Sequence, residues 1–137
     1  MSNLQVESGE ARLASLRAAR HSLGDEARAA AIAKQHAAGK LSARARIAQR
    51  VAAGSSRGSG AWVQPTRTTA DTEALVAPAD GVVTGYARID GRPVCVASFD
   101  YTVLGGSNGR VGGHKLQKLA DQAMEHGWPV VFLLDGG

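Results

Sequence analysis

Residues 81–100, "GVVTGYARIDGRPVCVASFD", restrict the fold more than any other part of the chain. Two alternating stretches rich in β-branched residues flank Asp90-Gly91, a dipeptide that readily adopts the positive φ angles of a two-residue hairpin turn. An antiparallel hairpin is therefore predicted here. A glycine-studded loop, "YTVLGGSNGR", follows. Leu116, Leu119, Ala120, Ala123 and Met124 then recur at i, i+3, i+4, i+7 and i+8, the spacing of an amphipathic helix, and "HGWP" supplies a C-cap glycine and a breaker. The continuous apolar run "PVVFLLD" predicts a strand buried on both faces, as in a parallel or mixed sheet. Hairpin, loop, helix and strand make this half α/β.

The preceding half reads as helices. "EARLASLRAARHSL" sets Leu13, Leu16 and Leu23 near one stripe and ends at Gly24. "DEARAAAIAKQHAAG" has Asp25 and Glu26 where the helix dipole favours negative charge and closes at Gly39. "KLSARARIAQRVAAG" offers Ser42 as an N-cap, places Ile47 and Val51 one turn apart, and ends at Gly54. The polar, Gly- and Pro-bearing segment after it fits neither the helical nor the strand period. The expected organisation is a helical region and linker over 1–74 and an α/β region over 75–137.

At 137 residues one folding unit is expected. Residues 1–70 carry 11 basic and 4 acidic side chains (net +7), and residues 71–137 carry 5 and 8 (net −3), so the basic character belongs to the helices. The single Cys95 cannot form an intramolecular disulfide, and no run approaches the ~18 apolar residues of a membrane span. The N-terminus lacks an apolar signal core. These features point to a cytoplasmic protein with no membrane partner.

Two glycine segments are candidates for chemistry. Gly105, Gly106 and Ser107 lie between a strand and a helix, where small residues let a ligand approach the backbone and helix N-terminal amides favour a phosphate or an oxyanion. The same glycines also suit a tight loop that only needs positive φ. Gly136 and Gly137 follow the last predicted strand, at the carboxyl end where open α/β sheets place ligands, or else form a frayed terminus. If the two segments faced each other, their amides would suit a thioester carbonyl gaining negative charge. His21, His36, His114 and His126 have no partners at metal-ligand spacing, so no metal is expected. Cys95 reads as a buried apolar residue, and Trp62 and Trp128 as packing residues.

"GKLSARARI", the segment "DGVVTGYARIDGRPVCVASFDYTVLGGSNG", Lys115 and "PVVFLLDGG" occur in this order, and together they resemble the N-terminal half of carboxyltransferase subunits of biotin-dependent acyl-CoA carboxylases. The resemblance runs from about Leu13 to Gly137. It implies a partial crotonase-like fold of ββα units preceded by amphipathic helices, with an acyl-CoA held by backbone amides. It also implies a second half that binds carboxybiotin, a biotin carboxylase or biotin carrier partner, and a homo-oligomer. In this scheme Gly136 and Gly137 supply oxyanion amides, and Arg44 with Gly105, Gly106 and Ser107 binds the acyl-CoA, whose phosphates suit arginine forks. Arg44 also reads as a solvated helix-surface arginine, and Arg46 and Arg50 as a plain basic stripe.

The chain departs from the family pattern in places. Ala45 stands where the family has the glutamate of a capping box with Ser42. Gly112 stands where the family usually has a histidine, and Gly112 and Gly113 are poor helix formers. The family alignment sets Gly137 as the first glycine of the oxyanion pocket, with its partner glycine beyond the chain. Three other readings follow: a related malonyl-thioester decarboxylase subunit, a non-catalytic truncated or assembly module, and a nucleic-acid surface on the basic helices. The last has no aromatic platform or reading motif behind it. A spiral cut after one turn leaves the "VVFLL" edge open, so association or poor solubility is expected of the chain alone.

Overall fold

The structure is a computed structural model that describes residues 8–61, 77–107 and 109–136. Trp62 and Gly137, and the boundary expected at 74/75, lie outside the described residues. The elements run α1 (Gly9–Ser22), α2 (Ala29–Ala37), α3 (Ala43–Arg50), β1 (Arg57–Ser59), β2 (Val82–Ile89), β3 (Arg92–Phe99), α4 (Arg110–His126) and β4 (Val130–Leu133).

The strands form one sheet in the order β1-β2-β3-β4. β2 and β3 pair antiparallel from Val82↔Phe99 to Ile89↔Arg92, and Asp90 (φ 49°) and Gly91 (φ 77°) provide the positive-φ pair of the turn. β4 runs parallel to β3, Cys95↔Val130 to Ser98↔Leu133, after the α4 crossover. Alternation along the strands gives two apolar faces. Val82, Cys95 and Ala97 pack under Leu119 and Ala123 of α4, while Ala87, Val94 and Val96 pack under Ile47 of α3. Each helix covers one face.

Several expectations change. β1 is a strand in the segment that fitted no period; it pairs antiparallel with β2, Arg57↔Tyr86 to Ser59↔Thr84, and is too short and polar for alternation to reveal it. β4 is not buried on both faces. It is the edge of the described sheet, with Phe132 half-exposed and Leu134 exposed, because β3 is its single hydrogen-bonded neighbour among the described residues. The stripe of α1 is not packed either: Leu13 and Leu16 are exposed, and only Leu23, at the C-cap, is buried.

The helix expected over 25–39 is a 3₁₀ turn, Glu26–Arg28, followed by α2. Arg28 breaks from helical geometry (φ −127°, ψ 33°) where its guanidinium reaches Asp100 Oδ2 (2.9 Å) and Thr102 Oγ1 (2.6 Å). α3 ends at Arg50, with Val51 extended, four residues before Gly54.

Candidate functional site

The carboxyl ends of parallel β3 and β4 bring the two glycine segments together. Gly106, at φ 82°, packs on Asp135 and Gly136 so closely that a Cβ there would lie 2.9 Å from the Gly136 Cα and nearer still to the Asp135 carbonyl oxygen. Only a residue without a side chain fits that contact in that conformation. Gly106 N–H donates to Val103 O (3.0 Å) and Ser107 N–H to Leu104 O (3.2 Å), so both amides are used within their own turn. The loop contributes shape here, and the backbone it presses against is Asp135–Gly136.

The amides expected to stay open at the helix start after this loop are not all open, because the chain supplies its own anion. Asp80, buried and at φ 51°, accepts from Gly112 N–H at 2.6 Å, in the first turn of α4. A carboxylate is favoured there by the aligned peptide dipoles. This bond also holds the turn in which Gly112 and Gly113 are poor helix formers. Asp80 stands in a run of three left-handed residues, Ala79 (φ 53°), Asp80 (φ 51°) and Gly81 (φ 75°). Non-glycine residues there cost about 1–2 kcal/mol each, so the turn needs external support.

Lys115 provides it. Its buried ammonium donates to Ala79 O (2.8 Å) and to Val82 O, tying α4 across both ends of the left-handed run. Burial lowers its pKa to about 8 from 10.5, the Asp80 charge opposing that shift and the Arg44 charge adding to it. Unfolded, Lys115 keeps its ordinary pKa, so between about pH 8 and 10.5 the unfolded chain holds more protons and stability rises with pH. The expected result is that the unfolding free energy of the wild type, measured against Lys115→Met by urea titration, rises across that window. A fall would contradict a desolvated ammonium. A signal for Lys115 exists in the sequence: Gly112, Lys115, Leu119 and Ala123 share one helical stripe, and all four are buried.

Arg44 lines a cleft of about 310 Å³ together with Ile47, Gly58, Ala79, Thr84 and Lys115. Its guanidinium lies 3.4 Å from Asp25 Oδ1, so its charge is partly compensated. Asp25 also accepts from the Ser42 hydroxyl, which itself accepts from Ala45 N–H at 3.1 Å. Asp25 thus supplies, from outside the helix, a carboxylate for the cap where Ala45 replaces the capping-box glutamate. Arg44 and the Gly106–Gly136 contact are separate features, one at the cleft and one at the strand ends; the structure does not bring Arg44 into contact with the glycines.

Two further N-terminal cations, Lys40 and Arg46, are engaged by acceptors at the carboxyl end of the sheet. Lys40 Nζ lies 2.9 Å from Asp135 Oδ1, and Gln35 Nε2 donates to Asp135 Oδ2 at 3.3 Å. Arg46, read from sequence as a plain basic stripe, is mostly buried and reaches the same carboxylate and the ends of β3 and β4. Burial raises the pKa of the Cys95 thiol, consistent with a packing residue. Among the described residues no helix is long and apolar enough to cross a membrane.

A mixed sheet covered by a helix on each face, built as hairpin, helix and parallel strand, is a partial crotonase-like α/β fold. Within that class the chain belongs to the carboxyl transferase domain family, which it matches over residues 34–137. It is 55% identical over 58 residues to the propionyl-CoA carboxylase beta chain of Saccharopolyspora erythraea, covering 42% of this chain and 11% of that one. It is 44% identical over 78 residues to the methylmalonyl-CoA carboxyltransferase 12S subunit of Propionibacterium freudenreichii subsp. shermanii, covering 57% of this chain and 15% of that subunit. A solved transcarboxylase 12S structure, a hexamer with methylmalonyl-CoA bound, superposes with a TM-score of 0.86 at 35% identity, covering 96% of this chain and 26% of that chain. The chain therefore spans between 11% and 26% of the length of these proteins.

Proposed function

We propose that the chain forms acyl-CoA-binding structure of a biotin-dependent acyl-CoA carboxyltransferase. The observation that carries this reading is the close contact of Gly106 with Asp135–Gly136 at the carboxyl ends of two parallel strands. The backbone amides of Gly136 and Gly137 receive the thioester oxygen as the α-carbon loses its proton. They act on charge that develops only in the transition state. Carboxybiotin, brought by a biotin carrier partner to the second carboxyltransferase half, would supply the CO₂ that the enolate carbon bonds to, and the ureido nitrogen freed by that N–C cleavage would take up the α-proton. The chain contributes positioning and backbone electrostatics and no nucleophilic side chain. Similarity to acyl-CoA carboxylase and transcarboxylase subunits supports this substrate class, and the hexameric 12S structure supports a homo-oligomer.

Arg44 is the proposed cation for the coenzyme A phosphates, standing beside a cleft with an apolar lining. Calorimetric titration of the full chain with propionyl-CoA is expected to show saturable binding, weakened about tenfold in Arg44→Ala, the size of one charge-assisted hydrogen bond of ~1.5 kcal/mol. No heat with any acyl-CoA overturns the proposal. Equal affinity in Arg44→Ala removes Arg44 from it.

A further inference from the structure

We propose that Arg46 is a positioning residue that sets the backbone at Asp135–Gly136; its effect on affinity rests on the acyl-CoA reading above, while its effect on the backbone does not. Strands that stop together leave carbonyls at their carboxyl ends without ladder partners. At this end of the sheet one guanidinium collects them. Arg46 Nη1 donates to Leu133 O (3.3 Å) and Leu134 O (3.1 Å), and Nη2 donates to Phe99 O. Nη2 also lies 3.9 Å from Asp135 Oδ2.

One side chain from α3 thereby ties the end of β3 to the end of β4 and to the residue before Gly136. Lys40 Nζ reaches Oδ1 of the same carboxylate, and Gln35 Nε2 donates to the Oδ2 that Arg46 faces. Gly106 bears on Asp135 and Gly136 from the β3 side. The segment is gripped by its carboxylate, by its preceding carbonyls and by the facing loop, which leaves the Gly136 backbone little room to move. An arginine suits this because its planar fork spans several acceptors in fixed directions, which the single ammonium of lysine does not. Its Nε is buried without a partner among the described residues, so the fork sits where the carbonyls place it and not where every donor is satisfied.

The test uses the full chain with Arg46→Lys, Arg46→Gln as a second variant, and Leu119→Ala as a control that damages the core on the α4 face. The amide resonances of Gly106 and Gly136 are followed by nitrogen-15 NMR without ligand, and propionyl-CoA affinity is measured by titration at a temperature where circular dichroism shows each variant folded. The expected result is displaced Gly106 and Gly136 resonances and at least tenfold weaker binding in both Arg46 variants, with Leu119→Ala close to wild type in both readouts. Unmoved Gly136 resonances in the Arg46 variants, or equal displacement in Leu119→Ala, overturn the proposal. Displaced resonances in a chain whose wild type binds no acyl-CoA support the positioning and overturn the acyl-CoA reading instead.

Discussion

Gly106→Ala is expected to destabilise the chain by about 2–5 kcal/mol and to abolish acyl-CoA binding. Two terms add. A non-glycine residue in the left-handed region costs ~1–2 kcal/mol, and forcing a methyl group into a filled contact typically costs ~1–3 kcal/mol. The contact in question is backbone against backbone, with the Gly136 Cα 2.9 Å from the added carbon, so no flexible side chain can yield. Gly105→Ala provides the comparison: Gly105 is also left-handed, at φ 63°, but a Cβ there meets nothing within 4 Å. Only the conformational term, ~1–2 kcal/mol, applies to it. Paired urea titrations check both values. Equal losses at the two positions would show that the Gly106 contact is not tight.

Asp80→Ala is expected to cost about 1–3 kcal/mol, the range for leaving a buried donor without its acceptor. The substitution strips the acceptor from Gly112 N–H and removes the negative charge that opposes the desolvation of the Lys115 ammonium. Asp80→Asn keeps a side-chain acceptor and a residue that tolerates left-handed backbone, so a smaller loss is expected. The double variant Asp80→Ala with Lys115→Met is expected to be more stable than the sum of the singles, because no buried ammonium remains to be compensated. Additive losses would show that the two groups do not interact. Against a typical domain stability of ~5–15 kcal/mol, a loss of that size is a large fraction.

What the sequence shows of this fold is what depends on neighbouring residues. The hairpin was legible because Asp90-Gly91 carries its own turn chemistry and the strands alternate on both sides of it. α4 was legible because Leu119 and Ala123 repeat at helical spacing, and β4 was legible as a parallel strand because a helix separates it from β3. β4 at the sheet edge was misread: an apolar run looks the same whether one neighbour or two lie beside it. β1 has three residues, Arg-Gly-Ser, with no apolar pattern to read, and its place comes from pairing with a strand that begins over twenty residues later.

The meeting of the two glycine segments was legible in the sequence, and the electrostatics around it were not. The two glycine segments could be found by position, each following a predicted strand, and the family resemblance ordered them. Asp80 could not: it caps a helix 32 residues away, and nothing local marks a carboxylate in a left-handed turn as the ligand of Gly112 N–H. Arg46 reads with Arg50 as a surface stripe because charge on a helix is usually solvated, and Lys40 carries no local signal at all. Their acceptors, Leu133 O, Leu134 O and Asp135, lie about ninety residues downstream, beyond any spacing rule. The net positive charge of the helices therefore overstated the cations available to a polyanionic ligand, since Arg28, Lys40 and Arg46 are engaged within the chain.

In the proposed function the backbone following β4 polarises a thioester carbonyl. The carbonyl stretch of carbonyl-labelled carbon-13 propionyl-CoA, recorded by infrared difference spectroscopy with and without the full chain, tests it most directly. Amides aimed at the oxygen weaken the C=O bond, so the account predicts a bound-state band shifted to lower frequency than in water, with the shift lost in Gly106→Ala. A ligand that binds saturably with its carbonyl band at the aqueous position would contradict the account.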